Sequence, residues 1–225
     1  MIKVIISGYG RMGHMVEKEL QKRGIELVEA SENITGTDPA KAKECVCIDF
    51  TTPDAFRANY PFIAQHFKAA VVGTTGWNDI CSEVFAAFEA AGTPLIWGSN
   101  FSVGVIALFA GVARACEVLK GHGYTPHVEE IHHIHKLDAP SGTAKSIGLL
   151  IEQFLGEKPE IGAQRIGEVP GTHTAEFLSE VDKLTFTHEA FSRQGFAEGA
   201  VDAALMTETV TGIHEFKDLI LRIKS

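Results

Sequence analysis

Only four cysteines occur in the 225 residues, and no two of them form a Cys-x-x-Cys pair. Cys45 and Cys47 lie two apart in an apparent strand, where their side chains share a face, and Cys81 and Cys116 stand alone. That spacing argues against a disulfide framework or a zinc site and for small buried side chains in a reducing, cytoplasmic setting. Positive charge is also scarce: 20 Lys and Arg against 29 Asp and Glu leave a net charge of −9, with no basic run. A partner built on a phosphate backbone, such as nucleic acid, is therefore not expected. There is no long hydrophobic run. The most apolar stretch, Phe101 to Ala113, carries Gly104 and Gly111 and meets Arg114 at once, which suits a buried helix and excludes a membrane span. The first residues enter a strand-like run, Ile2 to Ile6, without the charged, apolar and small-residue sequence of a secretory signal. Repeats and low-complexity linkers are missing too. What remains is 45% hydrophobic and 22% charged residues, enough for one large domain or two small lobes.

The opening run, Lys3 to Ser7, leads into Gly8-Tyr9-Gly10-Arg11-Met12-Gly13 and then a helical pattern of Met12, Met15, Val16 and Leu20, which Gly24 stops. A second strand, Ile25 to Ala30, ends near Glu32. Strand, Gly-x-Gly-x-x-Gly and helix within about thirty residues make a dinucleotide fingerprint. Gly8 permits the tight turn, Gly10 lets backbone approach a pyrophosphate, and Gly13 lets helix and sheet pack closely. Glu32, nineteen residues after Gly13, stands where an acidic side chain accepts from an adenosine ribose. A glycine-rich turn without a ligand is the plainer alternative. The alternation continues with a strand over 45–50, a helix over 55–67, a strand over 69–72 ending in Gly73-Thr74-Thr75-Gly76, a helix over 78–91, and a strand over 93–97 ending in Gly98-Ser99-Asn100-Phe101. This predicts a parallel, doubly wound α/β sheet whose ligand lies beyond the carboxyl ends of the strands.

After an apolar helix over 102–119 the texture changes. Strands are predicted over 126–134, 164–168, 173–180 and 183–189, with a helix over 143–154, a loop over 156–162 and a tight turn at Asp182-Lys183. Strands following strands point to a second, α+β domain on a mixed or antiparallel sheet. Helices over 195–207 and 215–223 would pack back on the first. The expected division is 1–101, completed by 194–225, for the dinucleotide and 102–193 for substrate and oligomerisation. A Glu157-Lys158-Pro159 triplet, which some sugar and biliverdin-type reductases place near the nicotinamide, reads here as a solvated turn.

Chemistry concentrates in Glu130-Ile131-His132-His133-Ile134-His135-Lys136-Leu137-Asp138-Ala139-Pro140-Ser141-Gly142-Thr143. If the strand runs on to Lys136, then Glu130, His132, Ile134 and Lys136 share one face, with His133 and His135 on the other. Ser-Gly-Thr would open a helix whose free N–H groups and dipole hold an anion. A metal patch, a polar strand face without a role and a hydrogen-bonded core histidine are the competing readings; adjacent strand histidines point apart, which tells against the metal.

The run resembles the dihydrodipicolinate (4-hydroxy-tetrahydrodipicolinate) reductase family, allowing one residue fewer before the histidines. Supporting matches are Gly10 to Gly13, Asp49-Phe50-Thr51, Gly73 to Gly76, Asn100 to Val105, Arg165-Ile166-Gly167 with Gly171-Thr172-His173, Ser192-Arg193 and Phe196 to Val201. They span essentially the whole chain. The resemblance implies a Rossmann-type lobe holding NADH or NADPH, and a small cyclic dicarboxylate imine as substrate, reduced with loss of water in lysine and diaminopimelate biosynthesis. It implies His132 as the acid/base residue and Lys136 as the proton donor. Thr75, His133, Lys136, Ser141, Gly142 and Thr143 would hold substrate. Gly8, Tyr9, Gly10, Arg11, Met12, Gly13, Glu32, Gly73, Thr74, Thr75, Ser99, Asn100 and Phe101 would hold the dinucleotide. It also implies a homotetramer; the reading of the residues themselves expects no metal and takes His135 as a bystander. The chain is shorter than many members between the second strand and Asp49, and Asn33 stands where many relatives carry an arginine for a 2′-phosphate, so the reading leans to NADH. The rivals are a non-catalytic dinucleotide-sensing or CoA-binding module, and another dehydrogenase of a small carboxylate.

Overall fold

β1 (Lys3–Ser7) is an apolar run whose residues beyond Lys3 are all buried, and everything in the first unit is built outward from it. In the computed structural model, which describes residues 2–222, β1 passes through the glycine turn into α1 (Arg11–Arg23) and returns as β2 (Glu26–Ser31). Gly24, at φ 66°, ends α1 in the left-handed conformation that favours glycine. A 3-10 turn over Ile34–Gly36 and the four-residue α2 (Pro39–Ala42) lead to β3 (Cys45–Asp49), α3 (Pro53–His66), β4 (Ala69–Val72), a second 3-10 turn, α4 (Cys81–Ala91) and β5 (Leu95–Trp97). The chain then makes a second unit, Gly104–Arg193, and re-enters the first at Gln194.

That second unit comprises most of α5 (Val103–Leu119), then β6 (Thr125–His132), α6 (Gly142–Leu155), β7 (Glu160–Arg165), β8 (Thr172–Leu178) and β9 (Lys183–Glu189). The return supplies α7 (Gln194–Met206), β10 (Ile213–Glu215) and α8 (Phe216–Leu221) to the first unit. The end of the helix expected over 215–223 lies outside the described residues.

The first unit's sheet is six-stranded in the order β10-β5-β4-β3-β1-β2, and each pair is parallel. A parallel sheet covered on both faces needs near-continuous apolar strands; β3 and β4 are buried throughout. The order reverses at β1, which has β2 on one side and β3 on the other. It is the doubly wound order without a strand beyond β2. The short segment between β2 and β3 has length only for one 3-10 turn and α2.

The second unit's sheet runs β7-β6-β8-β9 and is mixed. β6 and β7 are parallel across α6, repeating the β-α-β theme, while β8 and β9 add antiparallel strands. Its core joins Leu108, Val112 and Cys116 of α5, Ile147 and Ile151 of α6, and Val128, Ala175 and Phe177 of the sheet. One face is thus helix-covered, and β9 leaves Lys183, Leu184, Thr185, Thr187 and Glu189 exposed.

Several expectations need correction. β6 stops at His132, not near Ile134 or Lys136, because 133–140 turns away, with Lys136 N–H bonding His133 O. β7 begins at Glu160, inside the expected loop. It has little alternation of its own and is a strand because β6 offers a pairing edge from His127 to His132. β10 has no counterpart among the expected strands; three residues are too few for a readable pattern. The β8–β9 turn is Ser179–Asp182, where the Ser179 hydroxyl accepts from Val181 and Asp182 N–H.

Candidate active site

In the first unit the carboxyl ends of β1, β3 and β4 are tied together by one buried carboxylate. Asp49 accepts from Ser7 Oγ at 2.6 Å, Thr74 Oγ1 at 2.5 Å and Thr51 Oγ1 at 3.0 Å. Burial pushes the Asp49 carboxyl above its ordinary value against these hydroxyl bonds. The knot lies at the reversal of strand order, where open α/β sheets bind ligands.

The glycine turn beside it has the shape a pyrophosphate needs. Gly8 has φ 88°, and a Cβ there would lie 2.4 Å from Phe50 O; one on Gly13 would lie 2.4 Å from Gly8 O. A Cβ on Gly10 would meet nothing within 4 Å, so the backbone is open to a ligand at the N-terminus of α1, whose first turn carries no acidic residue. Arg11 is exposed and Met12 half-buried, and the Tyr9 hydroxyl is held by Glu17. Glu32 is exposed just past β2. Gly73 lies against the Phe50 ring, while Thr75 and Ser99 are exposed. Two expected dinucleotide contacts are otherwise engaged. Thr74 is buried, donating to Asp49 and accepting from Thr51 N–H at 2.7 Å. Phe101 is 1% exposed and stacks on Phe216 at 4.8 Å. Asn100 Oδ1 accepts from Ser102 N–H.

The second unit's site grows out of strand alternation. Along β6 the buried positions are Pro126, Val128, Glu130 and His132, and on β8 they are His173, Ala175 and Phe177. Pairing sets Val128 opposite Ala175 and Glu130 opposite His173, so one helix-covered face turns from apolar to ionisable along its length. Burial of charge demands partners, and they are present. Glu130 Oε1 accepts from Ser141 N–H at 2.9 Å and Arg165 Nη2 at 3.0 Å; its Oε2 meets His132 Nδ1 directly. Burial is the largest influence on the Glu130 carboxyl and pushes it up, but Ser141, Arg165 and His132 together bring it below the ordinary value. His132 is pushed down by burial first; Glu130 raises it, Lys136 and Arg165 lower it, and the net is below ordinary. His173 falls to about 4, chiefly through burial.

Arg165 also donates to the carbonyls of Lys136, at 3.2 Å, and Asp138, fastening the 133–140 loop to the end of β6. On that loop Lys136 Nζ is 2.8 Å from Asp138 Oδ1. The Ser141 hydroxyl caps α6 by accepting from Ala144 N–H at 3.2 Å and lies 3.2 Å from His173 Nε2. With its N–H on Glu130 as well, Ser141 is 2% exposed and ties the start of α6 to this cluster. The N–H groups of Gly142 and Thr143, in the first turn of α6, have no partner within the helix. His133 is half-buried, with Nε2 3.5 Å from Arg193; His135 is exposed and pairs with Glu168.

Glu130, His132 and His173 bring ligand-type atoms within 4.8 Å of one another. Tetrahedral zinc ligands about 2.1 Å from the ion stand roughly 3.4 Å apart, whereas Glu130 and His132 are in direct contact. The trio is a packed cluster in which Glu130 meets His132 directly and the His132 and His173 rings meet edge to face. Sequence reasoning gives no role to Arg165 or His173 and misses Glu130 as the anchor. The signal lies in the period-two placement of Glu130 and His132, but the partner strands cannot be aligned without their register.

Residues 2–101 match the family model described as dihydrodipicolinate reductase, N-terminus, and residues 104–220 its C-terminus. A protein of Christiangramia forsetii named 4-hydroxy-tetrahydrodipicolinate reductase is 35% identical, over 97% of this chain and 98% of its own. One of the same name from Methanopyrus kandleri is 34% identical over 98% and 97%. A solved dihydrodipicolinate reductase from Paenisporosarcina sp. TG-14, with dipicolinate bound, superposes with a TM-score of 0.83 at 20% identity, over 97% of this chain and 99% of that one.

Proposed function

Because the chain belongs to the dihydrodipicolinate reductase family, we propose that His132 and Lys136 carry the proton chemistry of that family's reaction on a cyclic dicarboxylate held at the start of α6. The reaction is the reduction of 4-hydroxy-tetrahydrodipicolinate to tetrahydrodipicolinate, with oxidation of a reduced nicotinamide dinucleotide and loss of water, in lysine and diaminopimelate biosynthesis. The observation that carries the residue assignment is the buried Glu130–His132 pair ahead of the α6 N-terminus, with Lys136 on a loop that Arg165 clamps.

The dinucleotide supplies the hydride when bound. Gly8, Gly10 and Gly13 with the N-terminus of α1 would cradle its pyrophosphate, and Glu32 would take the ribose hydroxyls. Gly73, Thr75, Ser99 and Asn100 would line the nicotinamide end. Glu32 followed by Asn33, without a cation for a 2′-phosphate, favours NADH. In the second unit Lys136 gives up Asp138 for one substrate carboxylate, and the Gly142 and Thr143 amides take the other. His133 completes the binding set of this unit. Lys136 protonates the ring as hydride arrives, and His132 exchanges the proton that lets the hydroxyl leave as water. The exposed Thr-rich face of β8 and β9 supports a homotetramer assembled through that sheet. All four cysteines are free, which suits the cytoplasm.

The test is a coupled assay on the condensation product of aspartate semialdehyde and pyruvate, run with NADH and with NADPH. His132→Ala should keep dinucleotide binding and lose turnover by about a hundredfold or more. Lys136→Ala should raise KM for the dicarboxylate and lower kcat. Unchanged turnover in His132→Ala would sink the assignment.

A further inference from the structure

Glu130 is fully buried, and the proton chemistry proposed for His132 and Lys136 gives it no part. We propose that Glu130 is a positioning residue: it holds the Nδ1–H of His132, so that Nε2 is the atom that exchanges a proton with the substrate. The inference rests on the assignment of His132 as the acid/base residue.

Three observations carry it. The two oxygens of Glu130 divide their work. Oε1 is occupied by two donors, Ser141 N–H and Arg165 Nη2, and Oε2 is left for His132 Nδ1. An ionised carboxylate only accepts, so the imidazole must place its proton on Nδ1. Next, His132 Nε2 points at Gly171, where a Cβ would lie 2.9 Å away. A residue without a side chain keeps Nε2 approachable. Last, His173 does not compete for Nδ1: the two rings meet edge to face at 5.0 Å, and His173 Nε2 lies against Ser141 Oγ. The charged or titratable groups that face His132 are therefore Glu130 on its own strand, Arg165 from β7, His173 from β8 and Lys136 from the loop. Among these only Glu130 favours the imidazolium; the other three are positive or titrate to positive. Without it, burial and the neighbouring cations would leave His132 a poor proton carrier.

The same geometry makes Glu130→Gln a sharp probe. Ser141 N–H and Arg165 are both donors and would capture the amide oxygen, turning the amide NH2 towards Nδ1. The ring would then have to accept at Nδ1, which forces the neutral form with its proton on Nε2 and opposes protonation.

In Glu130→Gln, kcat should fall by between about tenfold and a thousandfold, within what a general acid contributes, with dinucleotide affinity unchanged. The high-pH limb of the kcat/KM profile, where His132 loses its proton, should move to lower pH. A merely structural role would lower the melting temperature and leave that limb in place, and that result would overturn the proposal. Nitrogen-15 NMR of the histidine-labelled wild-type protein, with the His132 signals assigned by their loss in His132→Asn, gives an answer that does not depend on the variant folding. The expected neutral form carries its proton on Nδ1; a proton on Nε2 would refute the inference. Wild-type protein without reductase activity would overturn the functional reading alone, because the tautomer is measured on the resting protein.

Discussion

At position 173 an imidazole occupies a place on β8 that continues the line of Ala175 and Phe177, where alternation asks for an apolar side chain. Burial first, then His132, His188 and Lys136, lower its pKa to about 4, against Glu130, which raises it. His173 thus stays neutral at pH 7 and serves Ser141 as a hydrogen-bond partner. The sign of its linkage follows. Between 6.5, the ordinary value, and about 4, the unfolded chain binds a proton that the folded chain refuses, so stability drops as pH falls through that window. The loss is on the order of 3 kcal/mol for this one group. Melting curves of wild type and His173→Gln at pH 4.5 and 7 measure it: the variant should show the smaller pH dependence. Equal slopes would mean that His173 is protonated in the fold.

At the scale of elements, α6 is held by its first residues. Its cap, Ser141, spends its hydroxyl on Ala144 N–H and its N–H on Glu130, joining the helix start to β6. Ser141→Ala removes the cap and leaves His173 Nε2 short of a partner, which should lower the free energy of unfolding by about 2 kcal/mol, measured by urea titration, with KM for the dicarboxylate little changed. A large KM effect with unaltered stability would return Ser141 to the substrate. The strand pattern misleads at the far end of β6 for a related reason. Residues 133–139 have the donors and acceptors to continue a ladder, but Arg165 gathers the Lys136 and Asp138 carbonyls. That tie comes from a residue far along the chain. No local pattern announces it.

For the whole molecule, the open face of the second unit's sheet is the surface that bears on assembly. It is built of side chains such as Thr174, Glu176, Thr185 and Thr187, paired among themselves, and β9 is an edge that another chain can cover. Light scattering should give the mass of four chains, and Thr187→Arg should reduce it; a wild-type monomer would contradict the tetramer. No helix among the described residues is long and apolar enough to cross a membrane.

The sequence by itself determined the alternating first unit, because a parallel sheet buried on both faces requires continuous apolar strands separated by glycine-marked turns, and such runs are readable locally. It also placed His132, Lys136 and the Ser-Gly-Thr helix start, since these stand within a few residues of one another. Tertiary structure alone decided which groups are spoken for. Thr74, Phe101 and Ser141 looked available in the chain and are committed to Asp49, Phe216 and Glu130. Glu130 became the anchor of the site only when β7 and β8 brought Arg165 and His173 beside it. The cost of burying a carboxylate depends on a partner, Arg165, that lies 35 positions further along the chain, and period or propensity does not reach that far.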